Sequence, residues 1–285
     1  MSWRFAVSTL GMPGLPVAEA AQVAAEYGCH GLEIRVHPDE EVHLGLTGSD
    51  VDRARSRIAD AGLVVACLAG YAKVCAPGPD EPVVAELRAL IELAHRLGAP
   101  AVRVFPGGAA GDGGSGGDNG VSRVDGVGGD DGDSRDGGAR DRIGAVLDDL
   151  RDSGVRLLVE THDSHPTGEA AVRLVEPFAA PERVAVLWDA LHPWRHGEAP
   201  ARTRAVLGEY FGYFQIKDAG GRRDRTPVPP GQGAVPLAEC GELLRSWSGW
   251  VSLEWEKAWY PEIGPVTTAL PAAAAWFEQW ASGGS

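Results

Sequence analysis

The sequence predicts a closed (β/α)8 TIM barrel, α/β in class and a single domain over residues 1–285, with a disordered Gly/Asp-rich insertion after strand four. Three observations carry this expectation. Short apolar runs rich in valine and leucine alternate eight times with segments of helical spacing, and such runs are what strands covered on both faces require. Helix, glycine and strand recur in that order as EYGCHGLEI, DAGLVVACL, RLGAPAVRVF and DSGVRLLVE. The chain has 285 residues, and a barrel of this kind takes ~250. A doubly wound open sheet is the alternative, and it needs a G-x-G-x-x-G turn after its first strand. The turn here, TLGMPGLP, has proline at positions 13 and 16, which spoils that spacing.

Taken in order, the first strand is read at Phe5–Ser8 and is followed by a helix at Val17–Tyr27. The second unit is Gly31–Arg35 with Ser49–Ala61, where Ser49 reads as an N-cap. The third is Val64–Leu68 with Pro82–Leu97, and the fourth is Ala101–Phe105 with Arg140–Ser153. Then come Arg156–Glu160 with Glu169–Pro177, Val184–Trp188 with Ala201–Gly208, Tyr213–Lys217 with Leu237–Trp247, and Val251–Glu254 with Val266–Trp280. Gly28, Gly62, Gly98 and Gly154 stand just past helix ends, where a left-handed residue commonly closes the last turn. Residues 107–138 differ from the rest. They are mostly glycine and aspartate, with too little apolar surface to offset their ordering entropy, so they are read as a flexible loop. Their spaced aspartates lack the closing glutamate and flanking helices of a calcium loop.

Composition excludes several classes. A net charge of −14 repels nucleic acid, and the only basic stretch is GGRRDR. No apolar run is long enough to span a membrane. The start, MSWRFAVSTLGMPG, lacks a basic segment followed by a long apolar run, so a cytoplasmic protein is expected. The four cysteines, Cys29, Cys67, Cys75 and Cys240, are scattered and read as buried reduced thiols. Self-association into a homo-oligomer stays open.

The polar residues gather late in the chain. Strand five ends in LLVETHDSH with Glu160, His162 and Asp163, and strand six in VLWDALHPW with Asp189 and His192. Strand seven ends in FQIKD with Gln215, Lys217 and Asp218, and strand eight in VSLEWEK with Glu254 and Glu256. An acid at a strand end is often only solvated or capping. Four in successive units are harder to dismiss, because barrel closure brings Glu160, Asp189, Gln215 and Glu254 around one point at the catalytic face. Three converging carboxylates repel unless a proton or cation intervenes. An all-oxygen set suits Mn2+ or Mg2+, with Co2+ also accepted, better than zinc.

On these motifs the chain resembles the xylose-isomerase-like barrel superfamily, which includes sugar-phosphate isomerases and epimerases, inosose dehydratases and endonuclease IV. The resemblance implies Glu160, Asp189 and Glu254 as metal ligands and His192 as a substrate contact. Gln215 falls where most members place a metal-binding histidine; 3-dehydroshikimate dehydratases are similar in having glutamine there. The resemblance further implies proton abstraction next to a carbonyl of a sugar or polyol through a metal-stabilised enolate. Glu160 and Glu254 are then acid/base candidates. Lys217 could steady the enolate or act as acid/base, against the plainer reading of a lysine paired with Asp218. His162, Arg103 and Glu256 are candidate substrate contacts, Arg103 for a carboxylate or phosphate. Trp188, Trp255 and Trp259 are candidates for a sugar-stacking wall, although such residues more often pack between strand and helix. Two marks of the 3-epimerases are missing, since Pro166 and Gly221 stand where those enzymes have glutamate and arginine. Endonuclease IV is disfavoured by Tyr213 and Gln215 in place of histidines and by the acidic chain. The expected function is a metal-dependent isomerase or epimerase. A lyase of the same superfamily and a non-catalytic sugar-binding barrel are the alternatives.

Overall fold

A computed structural model describes residues 3–107 and 129–281, with side chains from residue 135 onward in the second stretch. Eight strands, β1 (Arg4–Ser8), β2 (Gly31–Arg35), β3 (Val64–Lys73), β4 (Ala101–Phe105), β5 (Arg156–Glu160), β6 (Val184–Asp189), β7 (Phe211–Ile216) and β8 (Trp250–Leu253), form a closed barrel in chain order. Every neighbouring pair is parallel, and β1 closes on β8 through Arg4 opposite Trp250. Around it lie α1 (Val17–Glu26), α2 (Gly48–Asp60), α3 (Asp80–Leu97), α4 (Gly129–Gly144), α5 (Leu147–Ser153), α6 (Gly168–Val175), α7 (Leu191–Arg195), α8 (Pro200–Leu207), α9 (Leu237–Leu244) and α10 (Leu270–Ala281). Among the described residues no helix is long and apolar enough to cross a membrane.

Side chains alternate along a strand, so each strand sends every second residue into the barrel. The inward rows begin small or apolar and end polar. On β5 the row runs Leu158 to Glu160, on β6 Ala185, Leu187, Asp189, and on β7 Tyr213 to Gln215. Ala6, Ala66, Cys67, Ala101, Leu158, Ala185, Leu187, Tyr213 and Trp250 fill the floor. Gly31 is required there: a Cβ would lie 2.8 Å from the Trp250 ring and 2.7 Å from the Val64 carbonyl. The larger apolar core sits between strands and helices, so the polar upper layer is walled by packed hydrocarbon on all sides.

Several boundaries differ from expectation. The helix expected at Ser49 starts at Gly48 with Thr47 before it, and Thr47 bonds Asp50 and Ser49 through its hydroxyl. The single helix expected at Arg140–Ser153 is two, α4 and α5, and α4 begins at Gly129, inside the stretch read as loop. The part of that stretch at 108–128 lies outside the described residues. Gly28, Gly62, Gly98 and Gly154 all have φ near +70°, as their helix-ending positions demand. All four cysteines are free and buried, and burial pushes the Cys29 and Cys75 thiols up to about 12.

Tertiary contacts explain why a glycine- and aspartate-rich segment is helical. Buried Arg142 donates to the carbonyls of Val74, Ala76 and Gly78 and to Asp80. Asp136, one turn and a half earlier, accepts from His165 Nε2 at 2.9 Å in the β5–α6 loop. With that nitrogen protonated, His165 Nδ1 accepts from the Ser164 hydroxyl at 2.9 Å, and Cys75 Sγ lies 4.0 Å away. Burial lowers the His165 pKa, helped by Arg173 and Arg135 and opposed by Asp136. A histidine with a lowered folded pKa takes up its proton more readily when unfolded, so stability falls as pH drops below about 6.5. The unfolding midpoint is therefore expected to fall between pH 7 and pH 5, and the slope to flatten in His165→Gln, as thermal melts at fixed ionic strength would show.

Candidate active site

The polar upper layer holds five carboxylates and two cations, all shielded from solvent. Glu33, Asp189 and Gln215 have no exposed surface, and Glu160, Glu254, Glu256, Arg103 and Lys217 are also buried. Oxygen atoms of Glu160, Asp189 and Glu254 lie within 4.8 Å of one another, and a second group joins Glu160 to His162 and His192. The structure thus brings the three expected carboxylate ligands together, with Gln215 beside them: its Nε2 donates to Glu254 Oε1 at 3.2 Å.

Each carboxylate is held from its own element. Thr161 Oγ1 accepts from the Asp189 backbone N–H, and Asp189 Oδ1 accepts from the Leu191 N–H at 2.7 Å, so the short helix α7 starts on this side chain. Asp189 Oδ2 meets the Lys217 ammonium at 2.7 Å. Lys217 also contacts Glu254 and, at 3.2 Å, Glu256. The plainer reading of Lys217 as an exposed partner of Asp218 is overturned. Asp218 instead accepts four backbone N–H bonds, from Ala219, Gly231, Gly233 and Val235, and ties down the PPGQG turn. Glu254 and Glu256 face the same way two residues apart, just past the end of β8.

Arg103, expected to pair with a substrate anion, pairs here with Glu160 at 3.0 Å, donates to the Gly70 carbonyl at 3.0 Å and lies over the Phe105 ring. His162 bonds Asp163, which has a left-handed φ of 45°, and packs between Phe105 and His192 with ring centroids 4.7 and 4.2 Å away. Trp188 and Trp255 are not a sugar wall. Trp188 packs against Phe211 and Phe214 in the outer core, and Trp255 is buried with its indole N–H on the Gly264 carbonyl.

One residue escaped selection from the sequence. Glu33 on β2 accepts from Gln215 Nε2 at 2.9 Å, from the far side of the barrel. A lone acid inside GLEIR, distant in sequence from the others, carries no signal beyond being a charge on an apolar strand.

Electrostatics separate these groups. Burial pushes the Glu160 carboxyl up to about 8, against the pull of Arg103 and His162. Burial also raises Glu33 and Glu256. For Glu254, Lys217 and Arg103 outweigh burial and hold the pKa below the usual range. Burial opposes the Lys217 charge, but Asp189, Glu254 and Glu256 raise its pKa well above the ordinary lysine value. Burial drives His192 well down, and Asp163 and Glu160 raise His162 despite burial.

The donor set fits a divalent cation. Glu33 Oε2, Gln215 Oε1, Glu160 Oε2 and Asp189 Oδ2 are buried and accept no hydrogen bond, although the last two meet Arg103 and Lys217 as ion pairs. Five acids against two fixed cations leave an excess of negative charge, which protons or a cation must offset. Glu160, Asp189, Gln215 and Glu254 are the residues that would hold the ion.

The sequence matches the xylose isomerase-like TIM barrel family over residues 21–280. No curated protein matches. Among solved structures, the fold is similar to a probable 3-DHS dehydratase, AsbF, from Bacillus anthracis (16% identity, 96% of this chain and 97% of that one, TM-score 0.68). It is similar to the 3-keto-D-glucoside 4-epimerase YcjR of E. coli (16% identity, 97% and 99% covered, TM-score 0.72) and to a zinc-bound IolI protein (15% identity, 98% and 99% covered, TM-score 0.77). At such identities the likeness carries the fold and not the reaction. The family match spans nearly the whole barrel, and the chain belongs to the xylose isomerase-like TIM barrel family.

Proposed function

We propose that this barrel is an isomerase or epimerase of a sugar or sugar-like polyol that moves a proton next to a carbonyl. The observation that carries the reading is the convergence of Glu160 and Glu254 from β5 and β8, with Asp189 between them. One glutamate takes the proton from the carbon beside the carbonyl, and the bonding pair moves onto the carbonyl oxygen. For epimerisation the other returns a proton to the opposite face of the same carbon, and the carbonyl re-forms. For isomerisation it returns the proton to the former carbonyl carbon, while the former carbonyl oxygen takes up a proton and the hydroxyl on the first carbon gives one up to become the new carbonyl. Lys217 holds the oxygen that carries the transient negative charge. His192, His162 and Glu256 are the polar groups that would meet a polyol's hydroxyls. A divalent ion, Mn2+ or Mg2+ by the oxygen donors and with Co2+ accepted, would supply further stabilisation of that oxygen. Carboxylates and a buried ammonium that meet in one water-poor layer favour this reading over simple sugar binding.

Gln215 favours a second reading. A carboxamide at the strand-seven position is the feature by which the chain resembles dehydratases, in which a hydroxyl beta to the carbonyl leaves after the proton is taken.

The test is metal content by mass spectrometry on protein offered Mn2+, Co2+ and Mg2+, with Glu254→Ala as control, followed by NMR of ketoses, inososes and dehydroshikimate in D2O. About one ion per chain, absent from the control, with deuterium appearing beside a carbonyl, is expected. Loss of water from the substrate would select the lyase. A ligand held without ion or exchange would replace both with a binding barrel.

A further inference from the structure

The geometry points to Glu33 as a positioning residue that decides which end of the Gln215 carboxamide faces a bound cation. This rests on Glu160, Asp189, Gln215 and Glu254 being the cation site. A carboxamide has a donor end and an acceptor end of nearly the same shape, and its last torsion is soft. Among carboxylates the NH2 end is the one attracted, and an NH2 turned into the site repels a cation. A glutamine therefore serves as an oxygen ligand only where another acceptor claims its nitrogen.

Glu33 is that acceptor. Its Oε1 takes the Gln215 N–H at 2.9 Å, closer than Glu254 Oε1 at 3.2 Å. Glu33 stands on β2, outside the carboxylate group of Glu160, Asp189 and Glu254. With the nitrogen so held, Gln215 Oε1 is left buried and without a partner. A lone buried amide oxygen is costly, and a cation beside it removes the cost. Metal-bound imidazoles are oriented in the same way, by an acceptor on the nitrogen that does not face the ion.

Glu33 also adds negative charge, and its two contributions can be separated. Glu33→Asp keeps the charge but withdraws the acceptor by one methylene. Glu33→Gln removes the charge but keeps an oxygen in reach of the Gln215 nitrogen. The measurement is Mn2+ affinity by electron paramagnetic resonance, with thermal melts confirming that each variant is folded. Positioning predicts that Glu33→Asp weakens Mn2+ binding about 10–100-fold, the usual range for such partners, and that Glu33→Gln loses much less. In a Gln215→Ala background only the charge contribution remains, so Glu33→Asp should there bind Mn2+ at least as tightly as Glu33→Gln. The reverse order while Gln215 is present, with Glu33→Gln the weaker, or the same order persisting without Gln215, would overturn the inference and leave the cation site standing. Wild-type protein that takes up no Mn2+ would overturn both the site and the inference. If Glu33→Asp does not fold, Glu33→Ala, which removes acceptor and charge together, is compared in both Gln215 backgrounds. A loss larger with Gln215 present than without it supports positioning, and a loss that is equal in the two backgrounds is a charge effect and overturns it.

Discussion

Lys217→Met is expected to destabilise the metal-free protein by about 3–5 kcal/mol, the range for removing one partner from a buried ion pair. The ammonium touches Asp189, Glu254 and Glu256, and none of the three is exposed enough for water to replace it. Met fills much of the same volume, so the loss reads out the charge rather than a cavity. For a chain of this size the melting temperature should fall about 5–10 °C, measured with chelator present. Mn2+ should stabilise the variant at least as much as it stabilises wild type, because the same carboxylates then lack their internal cation. An unchanged melt would mean that desolvation of the ammonium cancels its three contacts, and that Lys217 is kept for the reaction alone.

Asp218→Ala is expected to cost about 3–4 kcal/mol, since four backbone N–H groups lose a charged acceptor and two of them have no ready access to water. Gly233→Ala should match it. A Cβ at Gly233 would sit 2.2 Å from Asp218 Oδ1 and 2.4 Å from the Ala219 carbonyl, so the turn must open and release the carboxylate. Both changes lie one residue or one loop from Lys217. Both should therefore reduce turnover as well as stability, whereas Gly221→Ala, whose Cβ would meet nothing within 4 Å, should leave the melt unchanged. Denaturant titrations of the three variants give the comparison.

The sequence alone determined the β/α alternation and the place of each late strand's polar end, because both are local. A strand covered on two faces must be apolar along its length, so Glu160, Asp189, Gln215 and Glu254 stand out against VAVLWD-like neighbours. The glycines at 28, 62, 98 and 154 announced helix ends for an equally local reason, the backbone conformation that they alone adopt cheaply. Barrel closure then implied that the four polar ends meet.

Only the tertiary structure decided who pairs with whom. Gln215 and Glu33 are 182 residues apart, and nothing near either one says that the carboxamide nitrogen is claimed across the barrel. Arg103 and Lys217 read as groups for a substrate until closure placed them among buried acids, where unpaired charge is costlier than in water. The start of α4 was hidden for the opposite reason: glycine and aspartate have weak helix propensity. The helix stands because Arg142 and the Asp136–His165 pair anchor it to the β3–α3 loop, the start of α3 and the β5–α6 loop. Local pattern set the scaffold and the candidate ligands, and long-range packing set their charges and orientations.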